Sequence, residues 1–143
     1  MTGERGYLLD TNVLSETRRR EADQAVMAFL EAAESEQLYL SVLTVGELRK
    51  GIFRKRQEDA AAAARLSVWL EGLEAGFADR ILPVSAEVAR LWGEWSADRP
   101  RLVIDTLMAA TAAVHGLTLV TRNVRDVAGL PLEVVNPWTN GFS

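Results

Sequence analysis

A helix followed by a strand is predicted by the stretch LVIDTLMAATAAVHGLTLVT, which spans residues 102–121. The helical part carries mostly apolar and small residues around one acidic side chain, Asp105. Gly116 stands where a helix commonly ends. The apolar run that follows, Leu117–Thr121, is typical of a buried strand. A helix that leads directly into a buried strand favours an α/β fold.

The same alternation of helical and strand patterns continues through the rest of the chain. Strands are predicted at 7–9, 38–42, 81–84, 117–121 and 132–135, and helices at 23–34, 44–56, 58–74, 85–95 and 102–114. Pro83 favours an edge position for the third strand, and Thr44 and Glu47 have the spacing of a capping box. The pattern indicates a mostly parallel sheet, and the absence of repeats and linkers predicts a single domain over residues 1–143.

Composition limits the chemistry that the chain supports. The 143 residues carry a net charge of −4, with no cysteine and one histidine. Disulfides, thiolate metal sites and multi-histidine zinc sites are therefore excluded, and any metal must be bound mainly by oxygen. No segment has the roughly 20 apolar residues that span a bilayer, and the N-terminus lacks the apolar stretch of a signal peptide. We therefore expect a cytoplasmic protein with no membrane association.

Four carboxylates lie near predicted strand ends and helix starts, and each also has an ordinary structural interpretation. Asp10 follows the first strand and is a candidate helix N-cap. Glu47 is the capping-box partner of Thr44. Asp105 has neighbours that look buried, although the helix dipole also favours an aspartate in a first turn. Asp126 stands just past a strand, where turn aspartates are common.

Taken together, these acids suit a hard divalent cation with oxygen ligands. A lone buried carboxylate is costly unless it is paired or bound to a metal. Ligands of parallel sheets bind beyond the C-terminal ends of the strands, where Asp10 and Thr121 both lie. Carboxylates that hold Mg²⁺ and leave positions for water are typical of phosphoryl-transfer sites.

Four segments of the chain closely resemble the PIN-domain family and, within it, the VapC-type toxins. They are LLDTNVLSE (Leu8–Glu16), TVGELRKG (Thr44–Gly51), IDTLMAATAAVHGLTLVTRNVRD (Ile104–Asp126) and VVNPW (Val134–Trp138). Their order and separation cover nearly the whole chain. The resemblance implies a three-layer α/β/α sandwich around a mostly parallel sheet. It also implies an endoribonuclease that depends on Mg²⁺ or Mn²⁺ and acts as the toxin of a toxin–antitoxin pair.

The resemblance also implies roles for individual residues. Asp10, Glu47 and Asp105 match the three acidic positions that the family uses most consistently to hold metal. Asn12 matches a polar residue that helps to order the site. Thr121 matches a hydroxyl residue near the metal.

The fourth acidic position has two candidates. Many relatives carry an acid where this chain has Asn123, whereas Asp126 follows three residues later, as in one branch of the family. We assign Asp126 as the fourth catalytic and metal-binding acid and keep Asn123 as a supporting residue.

Two basic stretches are candidates for contact with RNA phosphates. The first is Arg18, Arg19 and Arg20, and the second includes Arg49 and Lys50. A solvated helix face, or a surface that meets an antitoxin, explains them equally well. The resemblance implies a small antitoxin as partner, and a homodimer that can join a larger toxin–antitoxin assembly.

Three other functions compete with the nuclease. A phosphatase of the haloacid-dehalogenase kind needs a second aspartate where this chain has Asn12, and no lysine follows Lys55. A binding module that has lost catalysis should have replaced one of the three central carboxylates, and none is replaced. A nucleotide-binding Rossmann domain is disfavoured because no glycine-rich loop follows Leu9.

Overall fold

Five strands alternate with six α-helices in residues 5–138, the part of the chain that the computed structural model describes. In chain order they are β1 (Tyr7–Leu9), α1 (Thr11–Glu16), α2 (Gln24–Ala32), β2 (Leu38–Ser41), α3 (Val42–Glu58), α4 (Ala60–Gly76), β3 (Ile81–Leu82), α5 (Ala86–Asp98), α6 (Val103–Val114), β4 (Thr118–Val120) and β5 (Val134–Val135). Short 3₁₀ turns lie at Ser35–Gln37 and Val124–Val127. The predicted α/β alternation is confirmed.

The strands form one parallel sheet in the spatial order β3-β2-β1-β4-β5. The chain builds one half of the sheet outward from β1, and then returns to β1 to build the other half. Leu9 at the end of β1 pairs with Val120 at the end of β4. The two strands therefore end side by side at the point where the strand order reverses, which is where ligands of α/β proteins bind.

Successive residues of the central strands pack into two separate apolar clusters. Leu8 and Leu119 belong to a cluster that contains the buried face of α6. Leu9 and Val120 belong to another, which packs against α1, α2 and α4. Because side chains of a strand point alternately to opposite faces, the clusters lie on opposite sides of the sheet. The three-layer α/β/α sandwich is therefore confirmed.

Small residues let α6 lie close to the sheet. Ala109, Ala110 and Ala112 are fully buried. After α6 the chain reverses through Gly116, whose φ of 67° is a conformation that residues with side chains rarely adopt. Because α6 then runs antiparallel to β4, its first turn, which contains Asp105, lies at the carboxyl edge of the sheet.

The beginning of α3 differs from the sequence prediction. The predicted capping box of Thr44 and Glu47 is wrong, because Ser41 is the N-cap residue and its Oγ accepts a hydrogen bond from the Leu43 amide at 3.0 Å. β2 thus runs directly into α3, and Thr44 is fully buried inside the first turn. The carboxylate of Glu47 is consequently not used for capping.

Two further points bear on the sequence prediction. The short helix α1 was not predicted, because six residues are too few to show a helical period. The edge position predicted for the strand at 81–84 is confirmed, because β3 lies at the end of the sheet. β3 itself ends at Leu82, before Pro83. Within residues 5–138, none of the helices combines the length and the apolar character needed to cross a membrane.

Candidate active site

Asp10 lies at the end of β1 and is held by two hydrogen bonds. Its Oδ1 accepts from the Thr11 amide at 2.7 Å, which makes Asp10 the N-cap of α1, and its Oδ2 accepts from the Thr121 hydroxyl at 2.6 Å. The residue is 8% exposed. Burial raises the pKa of Asp10, the hydrogen bonds from Thr121 and Thr11 partly oppose that rise, and the charge of Asp126 adds to it. The N-cap interpretation and the site interpretation are therefore compatible.

Thr121 connects β4 to the site. Its hydroxyl accepts the Asn123 amide at 2.9 Å and donates to Asp10, so its single proton is directed at the carboxylate. Thr121 is 1% exposed, so water does not compete for that proton. The adjacent ends of β1 and β4 thus fix one carboxylate oxygen of Asp10.

Glu47 reaches the same site from α3 through Thr11. The Thr11 hydroxyl donates to Glu47 Oε1 and lies 3.2 Å from the Thr44 hydroxyl oxygen. The sequence analysis did not single out Thr11. Its position between Asp10 and Asn12 could have identified it, because a residue in the first turn after β1 lies at the same edge of the sheet as Asp10.

Asp105 is half-buried beside the other acids. Its pKa is raised from the ordinary 3.8 to about 6 by burial first, then by the charges of Asp10 and Asp126, by a hydrogen bond with Asp126, and by Glu47. Asp10, Glu47 and Asp105 line the same cavity, and Asp126 contributes to the raised pKa of Asp105 from outside that lining. Among residues 5–138, however, no group of three or more acidic or histidine side chains is arranged so that it could hold a metal ion.

Asp10, Glu47 and Asp105 open into a cavity of about 510 Å³. Its lining consists of Asp10, Thr11, Asn12, Ser15, Glu16, Arg19, Glu47, Asp105, Arg122, Asn123 and Trp138. Asn12 Oδ1 is buried and has no hydrogen-bond partner among residues 5–138. Asp126 is exposed at the edge of the site and is coupled to Asp105, whereas Asn123 lies in the cavity wall. Of the two candidates for the fourth position, Asn123 therefore lines the cavity, whereas Asp126 lies outside the lining and acts on Asp105 through its charge and a hydrogen bond.

Glu16 is a buried carboxylate of the cavity wall that the sequence analysis did not identify. It is 3% exposed and accepts the Asp23 amide at 2.7 Å. That hydrogen bond is the main reason why the pKa of Glu16 is lowered, and Arg19 at 3.4 Å lowers it further. Glu16 is therefore ionised, and it ties the end of α1 to the start of α2.

The five basic residues predicted to contact RNA occupy different surfaces. Arg19 lines the cavity, whereas Arg18 lies over the Trp69 ring, 5.4 Å from its centroid, in a neighbouring groove. Arg20 is exposed in the turn after α1. Arg49 contacts Ser67 of α4 at 3.3 Å and points away from the acids.

Lys50, the last of the five, lies in a separate shallow groove that Glu47 and Ile104 also line. The structure thus brings Arg19 alone, among these five, to the cavity that contains the acids. Arg122 is a further basic residue of that cavity, and the sequence analysis did not select it.

Comparison with known proteins identifies the family. The family model of the PIN domain matches residues 7–128 of this chain. The chain is 35% identical to VapC ribonuclease Y4jK of Sinorhizobium fredii, over 92% of this chain and 96% of that protein. It is 34% identical to Toxin FitB of Neisseria gonorrhoeae, over 92% and 97% respectively. The crystal structure of FitAcB from Neisseria gonorrhoeae superposes with a TM-score of 0.84 at 34% identity, covering 93% of this chain and 99% of that one. The chain therefore belongs to the PIN domain family.

Proposed function

We propose that the chain is an endoribonuclease that hydrolyses RNA phosphodiester bonds with the help of Mg²⁺ or Mn²⁺, and that it is the toxin of a toxin–antitoxin pair. One observation carries the proposal. Three acidic side chains from separate segments, Asp10, Glu47 and Asp105, line one cavity at the switch point of a parallel sheet. Burial, and the charges of the other acids including Asp126, raise the pKa of Asp105 to about 6. Such a cluster of uncompensated charge is stabilised by a divalent cation.

The donor atoms at the cavity are of the type that a hard cation prefers. They are carboxylate oxygens and the amide oxygen of Asn12, which is buried without a partner among the described residues. Oxygen ligands of this kind suit Mg²⁺ and Mn²⁺. We assign the metal to Asp10, Glu47, Asp105 and Asp126, with Asn12 and Asn123 in support. When bound, the ion supplies activation of a water molecule and neutralises charge on the phosphate.

The neighbouring hydroxyl groups of the chain keep the carboxylates in place. The Thr121 hydroxyl lowers the pKa of Asp10 against the effect of burial, so it favours the ionised form. The Thr11 hydroxyl fixes Glu47 on the facing helix. The carboxylates of Asp10 and Glu47, which lie on different elements, are thus held in fixed orientations by short threonine side chains. Because these carboxylates are already oriented, they need to move less when water attacks the phosphate in line.

The names of the relatives support a ribonuclease of the VapC kind. Two similar proteins are named VapC ribonuclease Y4jK and Ribonuclease VapC2, the latter from Rickettsia felis. Both align with 92% of this chain. We extend that activity to this chain because Asp10, Glu47 and Asp105 are present and line one cavity.

The partner proposal rests on a second group of similarities. The structure of FitAB bound to a DNA fragment has a TM-score of 0.77 at 31% identity, and a toxin–antitoxin complex from Klebsiella pneumoniae has 0.67 at 29%. In this chain a groove with an apolar floor adjoins the acids, and Leu48, Ile52, Leu66 and Trp69 line it. We propose that an antitoxin segment covers this groove and the acidic cavity, and that the toxin acts as a cytoplasmic homodimer.

RNA cleavage by the purified protein tests the nuclease proposal. The assay compares wild type with Asp10→Asn and Asp105→Asn in Mg²⁺, in Mn²⁺ and in EDTA. We expect each variant, and EDTA, to reduce cleavage at least about a hundredfold, because each removes charge that a metal site needs. Asp79→Asn is the matched control, since its side chain is 81% exposed outside the cavity. Equal cleavage by the site variants and the control would exclude the proposed mechanism.

A further inference from the structure

Arg122 is a cation placed at the acidic cavity by a stacking contact. It directly follows Thr121, the residue that holds Asp10, and it lines the cavity. Its guanidinium carbon lies 5.1 Å from the centroid of the Trp138 ring. Arginine stacks on indole faces through cation–π attraction, which restricts the rotamers of an otherwise flexible side chain.

The indole beneath Arg122 is rigid. Trp138 is 4% exposed and packs into the apolar cluster that contains Leu9, Val13 and Val120. Its backbone amide also donates to Asn136 Oδ1 at 3.0 Å. A side chain fixed in the core offers a defined surface, so Arg122 is held at the rim before any ligand arrives.

The charge of Arg122 is not compensated by a neighbouring acid. Among residues 5–138, no carboxylate forms an ion pair with it, although the acidic cavity lies beside it. Arg19 on the same cavity differs, because it lies 3.4 Å from the buried, ionised Glu16. The guanidinium of Arg122 therefore keeps its donors available for a ligand that enters the cavity.

We propose that Arg122 anchors a backbone phosphate of the RNA, adjacent to the phosphodiester that is cleaved. The inference rests on the proposed function and adds a substrate-binding residue to it. A planar guanidinium donates two parallel hydrogen bonds to a phosphate, which fixes the strand in position as well as binding it. An anchored strand places the next phosphate over the acids, and the stacked indole preserves that geometry.

Steady-state cleavage of a short RNA compares Arg122→Gln and Arg122→Lys with Arg125→Gln. Arg125 is a matched control, because it is an exposed arginine in the same loop and does not line the cavity. We expect Arg122→Gln to raise KM about tenfold with little change in kcat, the effect of one lost charge-assisted contact. The KM of Arg122→Lys should lie between those of Arg122→Gln and wild type, since lysine keeps the charge but lacks the planar pair of donors. Arg125→Gln should stay within about twofold of wild type.

RNA binding without cleavage provides a second readout. Fluorescence anisotropy of a labelled single-stranded RNA is measured with the same variants in an Asp105→Asn background, over a range of salt concentrations. Loss of one phosphate contact should make the slope of log affinity against log salt shallower by about 0.7 for Arg122→Gln. The slope for Arg125→Gln should not change.

Equal KM, affinity and salt slope for Arg122→Gln and Arg125→Gln would overturn the role of Arg122 and leave the nuclease intact. Absence of both RNA cleavage and RNA binding in the wild type would overturn the proposed function and this inference together. Thermal unfolding of each variant checks folding. Arg122→Lys, which keeps the charge and a long side chain, retains the test if Arg122→Gln is unstable.

Discussion

The burial of Asp105, together with repulsion from the neighbouring carboxylates, should make the metal-free protein less stable as the pH rises, and Asp105→Asn should remove much of that effect. The pKa of Asp105 is about 6 in the folded chain, against an ordinary 3.8. The folded state therefore holds this proton more tightly than the unfolded state. By linkage, stability falls as the pH rises from about 4 to 6, and the full cost is present above pH 6.

The size of the effect follows from the shift and from exposure. A rise from 3.8 to about 6 corresponds to about 3 kcal/mol at neutral pH for a group shielded from solvent. Asp105 is only half-buried, so solvent screening reduces the cost to about 1–2 kcal/mol. Asparagine has nearly the same shape without the charge. We therefore expect Asp105→Asn to be more stable than wild type by about 1–2 kcal/mol at pH 8.

Urea unfolding in EDTA at pH 4.5 and pH 8, monitored by circular dichroism, measures the difference in the free energy of unfolding between Asp105→Asn and wild type. The advantage of the variant should be largest at pH 8 and smaller at pH 4.5, where Asp105 of the wild type is protonated in the folded state. Asp79→Asn, whose side chain is 81% exposed, should change the free energy of unfolding by less than about 0.5 kcal/mol.

Addition of Mg²⁺ at pH 8 should stabilise the wild type more than Asp105→Asn, because ligand binding to the folded state adds to its stability. An Asp105→Asn protein that is no more stable than wild type at pH 8 would refute the reasoning. An advantage that does not grow with pH would do the same.

Three further changes test a hydrogen bond at the site and the packing and backbone conformation of the fold that supports it. Thr121→Val leaves the buried Asp10 carboxylate without its hydroxyl donor, so urea unfolding should show a loss of about 1–3 kcal/mol that Thr121→Ser largely restores. Leu70→Ala, at a fully buried position, should cost about 2–5 kcal/mol, whereas Val68→Ala, at a residue 68% exposed, should cost less than about 0.5 kcal/mol. Gly116→Ala places a side chain at φ 67° and should cost about 1 kcal/mol in the same assay; no loss there would contradict the strain argument.

Much of the fold could be predicted because its signals are local. The apolar run before Asp10 and the run from Leu117 are both strands. β1 has the predicted bounds, whereas β4 is one residue shorter than predicted at each end. The edge position of β3 could be predicted from Pro83, because proline lacks the amide N–H that a residue of a central strand donates. Helix starts were less certain, since Ser41 and Thr44 are both capping residues and the local pattern does not choose between them.

The chain order of residue types by itself determined the α/β class, the oxygen-only donor set and the identity of four candidate acids. Those conclusions depend on periodicity, composition and motif, which are properties of neighbouring residues. Tertiary structure decided which side chains meet, because residues such as Thr121 and Asp10 are far apart in the chain and are joined by a hydrogen bond across paired strands. It also placed Arg122 over Trp138 and turned Arg49 toward α4. Such directions follow from the packing of whole elements, and no local pattern encodes them.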